Sequence, residues 1–137
     1  MALDKTFEFS DKQAVTATAN STYIHENTHT PEDAWGTSIS NQIGGMSFNA
    51  AITTTLTSTG TLAITLVTDA SAAISSSGTT LATINVAAGA VAGTKYSVIL
   101  PAGTERLAHL GAILTESGSI SAGNVNVWLG LKQEEID

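Results

Sequence analysis

The chain of 137 residues has no cysteine, only two prolines and 12% charged residues. Without cysteine, a disulfide framework is excluded. A globular domain ordinarily carries about 25% charged residues, so this surface is unusually neutral. A chain of this length buries enough surface to form one core without disulfides or a bound metal ion. We therefore expect one domain over residues 1–137, with flexible termini at about residues 1–12 and 132–137.

Basic residues are also scarce, and the formal net charge is −7. The five basic positions are scattered along the chain: Lys5, Lys12, Lys95, Arg106 and Lys132. They form no patch that could displace counterions from a phosphate backbone, so nucleic acid is not expected as a partner. The chain also lacks an apolar run of the ~18 residues that a transmembrane helix needs, and its first residues do not resemble a secretory signal. We expect synthesis in a cytoplasm and no membrane partner.

The chain is rich in threonine, serine, alanine and glycine in place of charged residues. Along several segments, apolar residues alternate with polar or small ones, with a period of two. Between residues 48 and 57, Phe48, Ala50, Ile52 and Leu56 alternate with polar or small neighbours, which predicts a long strand with one apolar face. Residues 62–66 repeat this pattern after a turn. Further strands are predicted over these ranges: 13–20, 79–87, 94–100, 106–115 and 124–131. The residues expected in the core are Ile52, Leu62, Ile64, Leu66, Val98, Val127 and Leu129.

Turn signals separate these strands. The small-residue run 87–93 contains two glycines, which disfavour a helix, so we predict a loop there. Residues 117–123 are also predicted to form a turn. The pattern as a whole predicts an all-β protein, an antiparallel sandwich of about eight strands. The longest irregular segment, residues 23–45, holds the most distinctive side chains.

That segment contains His25-Glu26-Asn27-Thr28-His29, which matches the H-E-x-x-H pattern of zinc peptidases. The pattern requires a helix, because only then do the two histidines share one face and ligate zinc beside the glutamate. Weak helix formers and the nearby Pro31 disfavour a helix. A polar surface loop is the preferred interpretation. The alternatives are a loop that binds metal adventitiously and a peptidase.

Aromatic residues supply the other candidates for a function. Trp128 lies on the parity of the last strand opposite to Val127 and Leu129, so it either packs beneath a covering loop or anchors an interface, and we favour the interface. The residues expected to contact other subunits or a partner are Tyr23, His25, His29, Trp35 and Trp128. No nucleophile elbow of the G-x-S-x-G type is present, so we expect no catalytic residues, no metal site and no cofactor.

Three segments resemble the small capsid cement proteins of tailed bacteriophages. They are residues 9–19, which read FSDKQAVTATA, residues 100–107, which read LPAGTERL, and residues 118–131. The resemblance implies a jelly-roll β-sandwich on the outer surface of an icosahedral capsid, where it clamps neighbouring major capsid proteins together. Residues 23–45 lie outside this resemblance.

The expected function is therefore structural and not enzymatic. The expected partners are the major capsid protein and further copies of the chain, as a dimer or trimer, and the expected location is the outer surface of a virion. An alternative from another class is a carbohydrate-binding or adhesive β-sandwich on a phage tail or cell surface. Such a module would expose clustered aromatic side chains for stacking on sugars, for which Tyr23 and Trp35 are the candidates.

The zinc-peptidase alternative makes a direct prediction. We expect no metal-dependent peptide hydrolysis, because the histidine pair should not lie on a helix. The measurement is cleavage of an unfolded protein substrate with added zinc, with and without a chelator. Stoichiometric zinc together with chelator-sensitive cleavage that is lost in Glu26→Gln would contradict the expectation.

Overall fold

The computed structural model describes residues 8–22, 25–26, 45–70, 74–75, 78–102 and 109–130. Strands make up 70% of these residues and none is helical, which confirms the predicted all-β class. The strands are β1 (Glu8–Ala14), β2 (Ala19–Asn20), β3 (His25–Glu26), β4 (Ser47–Ser58), β5 (Thr61–Asp69), β6 (Thr79–Val86), β7 (Lys95–Ile99), β8 (His109–Ser117) and β9 (Ile120–Gly130). They form two antiparallel sheets. The first has the order β1-β9-β4-β7, and the second has the order β2-β8-β5-β6, with β3 also paired to β8.

The strand pairs are nested. The first strand pairs with the last, β2 and β3 pair with β8, β4 pairs with β7, and β5 pairs with β6. The chain therefore runs as one long antiparallel hairpin whose open end is β1–β9 and whose closed end is β5–β6. Two further pairings, β4–β9 and β5–β8, join neighbouring parts of this hairpin into the two sheets.

The alternating apolar side chains of both sheets meet in one core. Leu62, Ile64 and Leu66 on β5 face Val127 and other residues from the opposite sheet, because successive side chains of a strand point to opposite faces. Six of the seven predicted core residues are buried: Ile52, Leu62, Ile64, Leu66, Val127 and Leu129. The seventh, Val98, is half-buried and packs against the same core from the edge strand β7.

The first strand differs from the prediction. A strand was expected over 13–20, but β1 ends at Ala14 and begins at Glu8, within the terminal segment expected to be flexible. Its pairing with β9 carries an extra residue between Ser10 and Gln13, and Lys12 has a left-handed φ of 51°. This bulge hid the strand, because one inserted residue breaks the period-two pattern.

The last strand also starts earlier than predicted. A turn was expected over 117–123, but β9 begins at Ile120. Gly123 was read as a turn residue, whereas it lies inside the strand, where a Cβ would overlap the side chain of Leu56. Its φ of 144° is a second reason for glycine at this position. Close packing between two strands therefore produced the same sequence signal as a turn.

The core predicts that substitutions in the consecutive strands β4 and β5 differ in their effect on stability. Leu66→Ala should lower the free energy of unfolding by about 2–5 kcal/mol, because it removes buried methyl groups and leaves a cavity. Thr57→Ala, at an exposed position of β4, should change it by less than about 0.5 kcal/mol. Urea denaturation followed by circular dichroism measures both. Equal stability of the two variants would contradict the assignment of the inner face.

Candidate functional site

The H-E-x-x-H segment begins in a strand. His25 and Glu26 form β3, in register with Leu110 and His109 of β8. The loop interpretation is therefore corrected at these two residues, and the helix that zinc-peptidase chemistry needs is not present there. His29 lies outside the described residues, as do Tyr23 and Trp35.

Two kinds of site, a metal cluster and a membrane-spanning helix, are absent from the described parts of the chain. Over the described ranges, no group of three or more histidine, aspartate or glutamate side chains is arranged to hold a metal ion. In the same parts of the chain there is no helix with the length and hydropathy needed to cross a membrane.

Trp128 is buried within the chain, with an exposed fraction of 2%. In register, its neighbours are Glu8 on β1 and Asn49 on β4, on the side of the first sheet that faces away from the common core. The preference for an exposed interface anchor is therefore corrected, because an indole with almost no accessible surface has no area left for a partner. Alternation correctly predicted that Trp128 lies on the side of the sheet opposite to Val127 and Leu129. Alternation does not indicate whether that side is covered.

Other polar residues on this side of the sheet are buried with the tryptophan. We call this group the polar layer: Glu8, Ser47, Asn49, Asn126 and Trp128. Ser47 Oγ donates to Gly130 O at 2.8 Å, and Asn49 Nδ2 donates to Ser47 O at 3.0 Å.

Bonds of the polar layer also run across the sheet. Ser97 Oγ of β7 donates to Asn49 Oδ1 at 2.8 Å, and the backbone N–H of Lys12 in β1 donates to Asn126 Oδ1 at 2.6 Å. The two asparagines thus tie both outer strands of the first sheet to its centre. Asparagine is uncommon in strands, and that is the one sequence signal by which the layer could have been found.

Gln13 joins the two sheets where the chain passes from β1 to β2. Its Oε1 accepts hydrogen bonds from Ser10 Oγ at 2.6 Å, from the Thr22 N–H at 2.9 Å and from Thr22 Oγ1 at 3.0 Å. Its Nε2 donates to Asn20 O at 2.9 Å. Because its amide oxygen accepts hydrogen bonds and its amide nitrogen donates one, the Gln13 side chain links the end of β1 to β2 and the residues after it. Sequence reasoning missed it because a single glutamine carries no pattern.

The outer side of the second sheet is different, because part of it is open to solvent and that part is nearly uncharged. We call it the hydroxyl face. Its exposed members on β5, β6 and β8 are Thr61, Thr83, Asn85, Thr115 and Ser117, and the half-buried positions between them are Ala63, Thr65 and Ile113. Asp69 and His109, opposite each other in register, lie at one end of this face. The rest is a neutral surface of short side chains.

A shallow depression of about 270 Å³ lies where β4 and β9 meet their turns. Five hydroxyl residues line it: Thr57, Ser58, Thr59, Ser119 and Ser121. Two of these hydroxyls are used internally, since Ser58 Oγ donates to Gly60 O at 3.0 Å and Ser121 Oγ donates to Thr57 O at 3.1 Å. The lining includes no imidazole, carboxylate or amine, so nothing in it would activate a hydroxyl as a nucleophile.

Neither the models of known protein families nor the curated proteins include a match to this chain. The function is therefore inferred from the residues themselves, above all from the closed polar layer on one sheet and the open hydroxyl face on the other.

Burial of Trp128 predicts a loss of stability. Trp128→Ala should lower the free energy of unfolding by about 3–5 kcal/mol, because it removes a large buried side chain. Trp128→Phe should cost much less, since Nε1 of the indole has no hydrogen-bond partner among the described residues. Chemical denaturation measures both changes. If Trp128→Ala were as stable as the wild type, the indole would not be packed within the chain.

Proposed function

We propose that the protein is a structural, non-enzymatic subunit that binds the outer surface of a bacteriophage capsid and reinforces contacts between major capsid proteins. The observation that carries this proposal is the hydroxyl face, an exposed sheet surface with almost no charge. The cores of protein interfaces are depleted of charged residues, because burying a charge costs free energy unless it is paired. A neutral sheet surface can be covered by a partner without that cost.

The proposed fold is a jelly roll. Its support is the nested pairing of the strands, in which a long antiparallel hairpin is divided between two sheets. If β2 and β3 are taken as two pieces of one interrupted strand, the described residues form eight strands in two sheets of four, the number typical of a jelly roll. The two pieces pair with successive parts of the same neighbour, β8, which favours this interpretation.

The segments that resemble capsid cement proteins support the same proposal. Residues 9–19 include most of β1, and residues 118–131 include β9, so two of the three resembling segments are neighbours in the first sheet. Of the third, residues 100–107, the structure describes only Leu100, which is buried in the core, together with the exposed Pro101 and Ala102. The resembling segments therefore include two strands, β1 and β9, that pair with each other.

The proposal includes the partners and location that follow from it. The partners are the major capsid protein and further copies of this chain, and the site of action is the virion surface, after synthesis in the host cytoplasm. The formal charge of −7 disfavours packaged nucleic acid as a partner, since like charges repel. No membrane partner and no cofactor are proposed.

The alternative, a carbohydrate-binding module, has less support. Sugar binding of the kind considered uses exposed aromatic rings, and the described aromatic side chains are not of that kind. Phe9 and Phe48 form an edge-to-face pair in the core with ring centroids 6.2 Å apart, Trp128 is buried and Tyr96 is half-buried. Tyr23 and Trp35 lie outside the described residues.

Cosedimentation with mature capsids from which the protein has been stripped tests the proposal. We expect saturable binding at a stoichiometry set by icosahedral symmetry. The double variant Thr61→Glu with Thr115→Glu should weaken this binding at least tenfold, because it places two carboxylates on the two central strands of the hydroxyl face, β5 and β8.

A matched control carries the same charge elsewhere. Thr16→Glu with Ala17→Glu changes two exposed residues in the bend between β1 and β2, and it should bind as the wild type does. Absence of saturable binding by the wild type would contradict the capsid proposal. Specific binding to a glycan array by the same protein would then favour the carbohydrate alternative.

A further inference from the structure

The edges of the two sheets differ in how they are protected. An edge strand presents unpaired backbone N–H and C=O groups, and natural proteins protect such edges with charges, prolines, bulges or short strands. Over the described residues, the edges are β1 and β7 in the first sheet, and β6 and the β2–β3 side in the second.

Three of these edges carry a protective feature. The bulge in β1 places the exposed Asp11 and Lys12 at its edge. On the β2–β3 side, each strand has only two residues. The edge strand β7 has five residues, begins with a charged side chain at Lys95, and is followed by Pro101.

The fourth edge, β6, is the least protected. It has eight residues, Thr79–Val86, and contains neither a charge nor a proline. One irregularity lies at Leu81, and beyond it Ala82–Val86 pair regularly with β5. Ile84 and Val86 are buried in the core and hold this stretch in place. Among the described residues, β6 has no strand on its other side.

The turn that follows this edge carries an exposed apolar side chain. Val91, in the turn between β6 and β7, is 60% exposed. The other large hydrophobic side chain exposed over the described part of the chain, Ile99, is in register with Ser47 and so lies on the outward side of the first sheet. Val91 therefore adds an apolar position next to the β6 backbone.

The turn that carries Val91 is held in place by β4. The Leu56 N–H donates to Ala90 O at 2.9 Å, the Gly93 N–H donates to Ile52 O at 2.8 Å, and the Ala92 N–H donates to Thr55 Oγ1 at 2.9 Å. A surface already fixed by hydrogen bonds loses little conformational entropy when a partner binds.

The charge distribution permits a second copy of the chain as that partner. Two molecules that each carry a formal charge of −7 repel each other, and this repulsion is weakest where their contact avoids the acidic residues. Residues 70–94, which include all of β6 and its turn, contain no charged residue. Two β6 edges are also complementary to each other. In an antiparallel pair about a two-fold axis, each edge offers the backbone N–H and C=O groups with which the other forms hydrogen bonds.

We propose that two copies of the chain pair through their β6 edges, antiparallel and about a two-fold axis, with Val91 at the border of the contact. This pairing rests on the proposed function, because the capsid role is what makes a second copy of the chain an expected partner. It places self-association on β6 and not on Trp128, and it leaves the centre of the hydroxyl face accessible to the capsid.

Sedimentation equilibrium of the full chain provides the first test. The wild type should form a dimer. The double variant Thr83→Lys with Asn85→Lys, at exposed positions of the edge, should raise its dissociation constant at least tenfold, because four like charges meet across the axis. The control, Thr61→Lys with Thr115→Lys, adds the same charge to the inner strands β5 and β8 and should dimerise as the wild type does.

A distance measurement tests the same contact without the lysines. Because the chain has no cysteine, Asn85→Cys and Thr115→Cys each accept a single nitroxide label. Both positions are in register with Ala63 of β5. Strands in a sheet are about 4.8 Å apart, and β8 is two strands further from the axis than β6, so the label pair at position 115 should be roughly 20 Å further apart than the pair at 85.

The outcomes separate this proposal from the capsid proposal. A wild-type monomer at all concentrations, an equal response to both lysine pairs, or a shorter distance at position 115 would each overturn pairing through β6. A monomer that still binds capsids saturably would overturn pairing alone. A dimer with the expected distances that binds no capsid would support pairing and contradict the capsid proposal.

Discussion

The pairing of β9 with two partners is the constraint on which the rest of the fold depends. This strand lies between β1, at one end of the chain, and β4, near its middle. Its inward side chains Val125, Val127 and Leu129 fill the core, while Asn126 and Trp128 on the other side belong to the polar layer. Pairing β9 with β1 and with β4 closes long loops of the chain. The entropy cost of closing a loop grows only with the logarithm of its length, so apolar burial along β9 can offset it.

The scarcity of charge is met differently on the two sheets. On the first sheet, the outward residues Ser47, Asn49 and Asn126 are buried and are joined by side-chain hydrogen bonds to neighbouring strands. Buried polar groups of this kind must be paired, because an unmade hydrogen bond costs more than a made one contributes. On the second sheet, the short hydroxyl side chains remain in water. The polar layer of the first sheet is therefore buried within the chain, whereas the exposed positions of the hydroxyl face remain available for contacts.

The two proposed contacts use different parts of the second sheet and reinforce each other. Pairing through β6 would continue the second sheet across a two-fold axis and would place two hydroxyl faces side by side. A dimer of this form would offer the capsid a surface twice as long as a single subunit does. Binding through two linked sites strengthens attachment without a new kind of contact, provided that the geometry lets both engage. That is a suitable arrangement for a protein whose proposed task is to hold neighbouring capsid subunits together.

Local patterns in the sequence determined much of this fold. Alternation over 48–57 and 62–66 identified β4, β5 and their inward residues, because a strand directs every second side chain to the core. Two glycines in the run 87–93 were sufficient to predict the turn that now carries Val91. These predictions required only the residue and its near neighbours in sequence.

What only the tertiary structure decided depends on neighbours far away in sequence. Gly123 is a glycine because Leu56 packs against it, and Trp128 is buried although its parity directs it away from the core. The bulge at Lys12 hid β1, and pairing with β8 made His25 and Glu26 part of a strand. Periodicity reports which side of a strand a residue takes. It cannot report which strand lies alongside or whether that side is covered, because those are set by pairings and packing between distant segments.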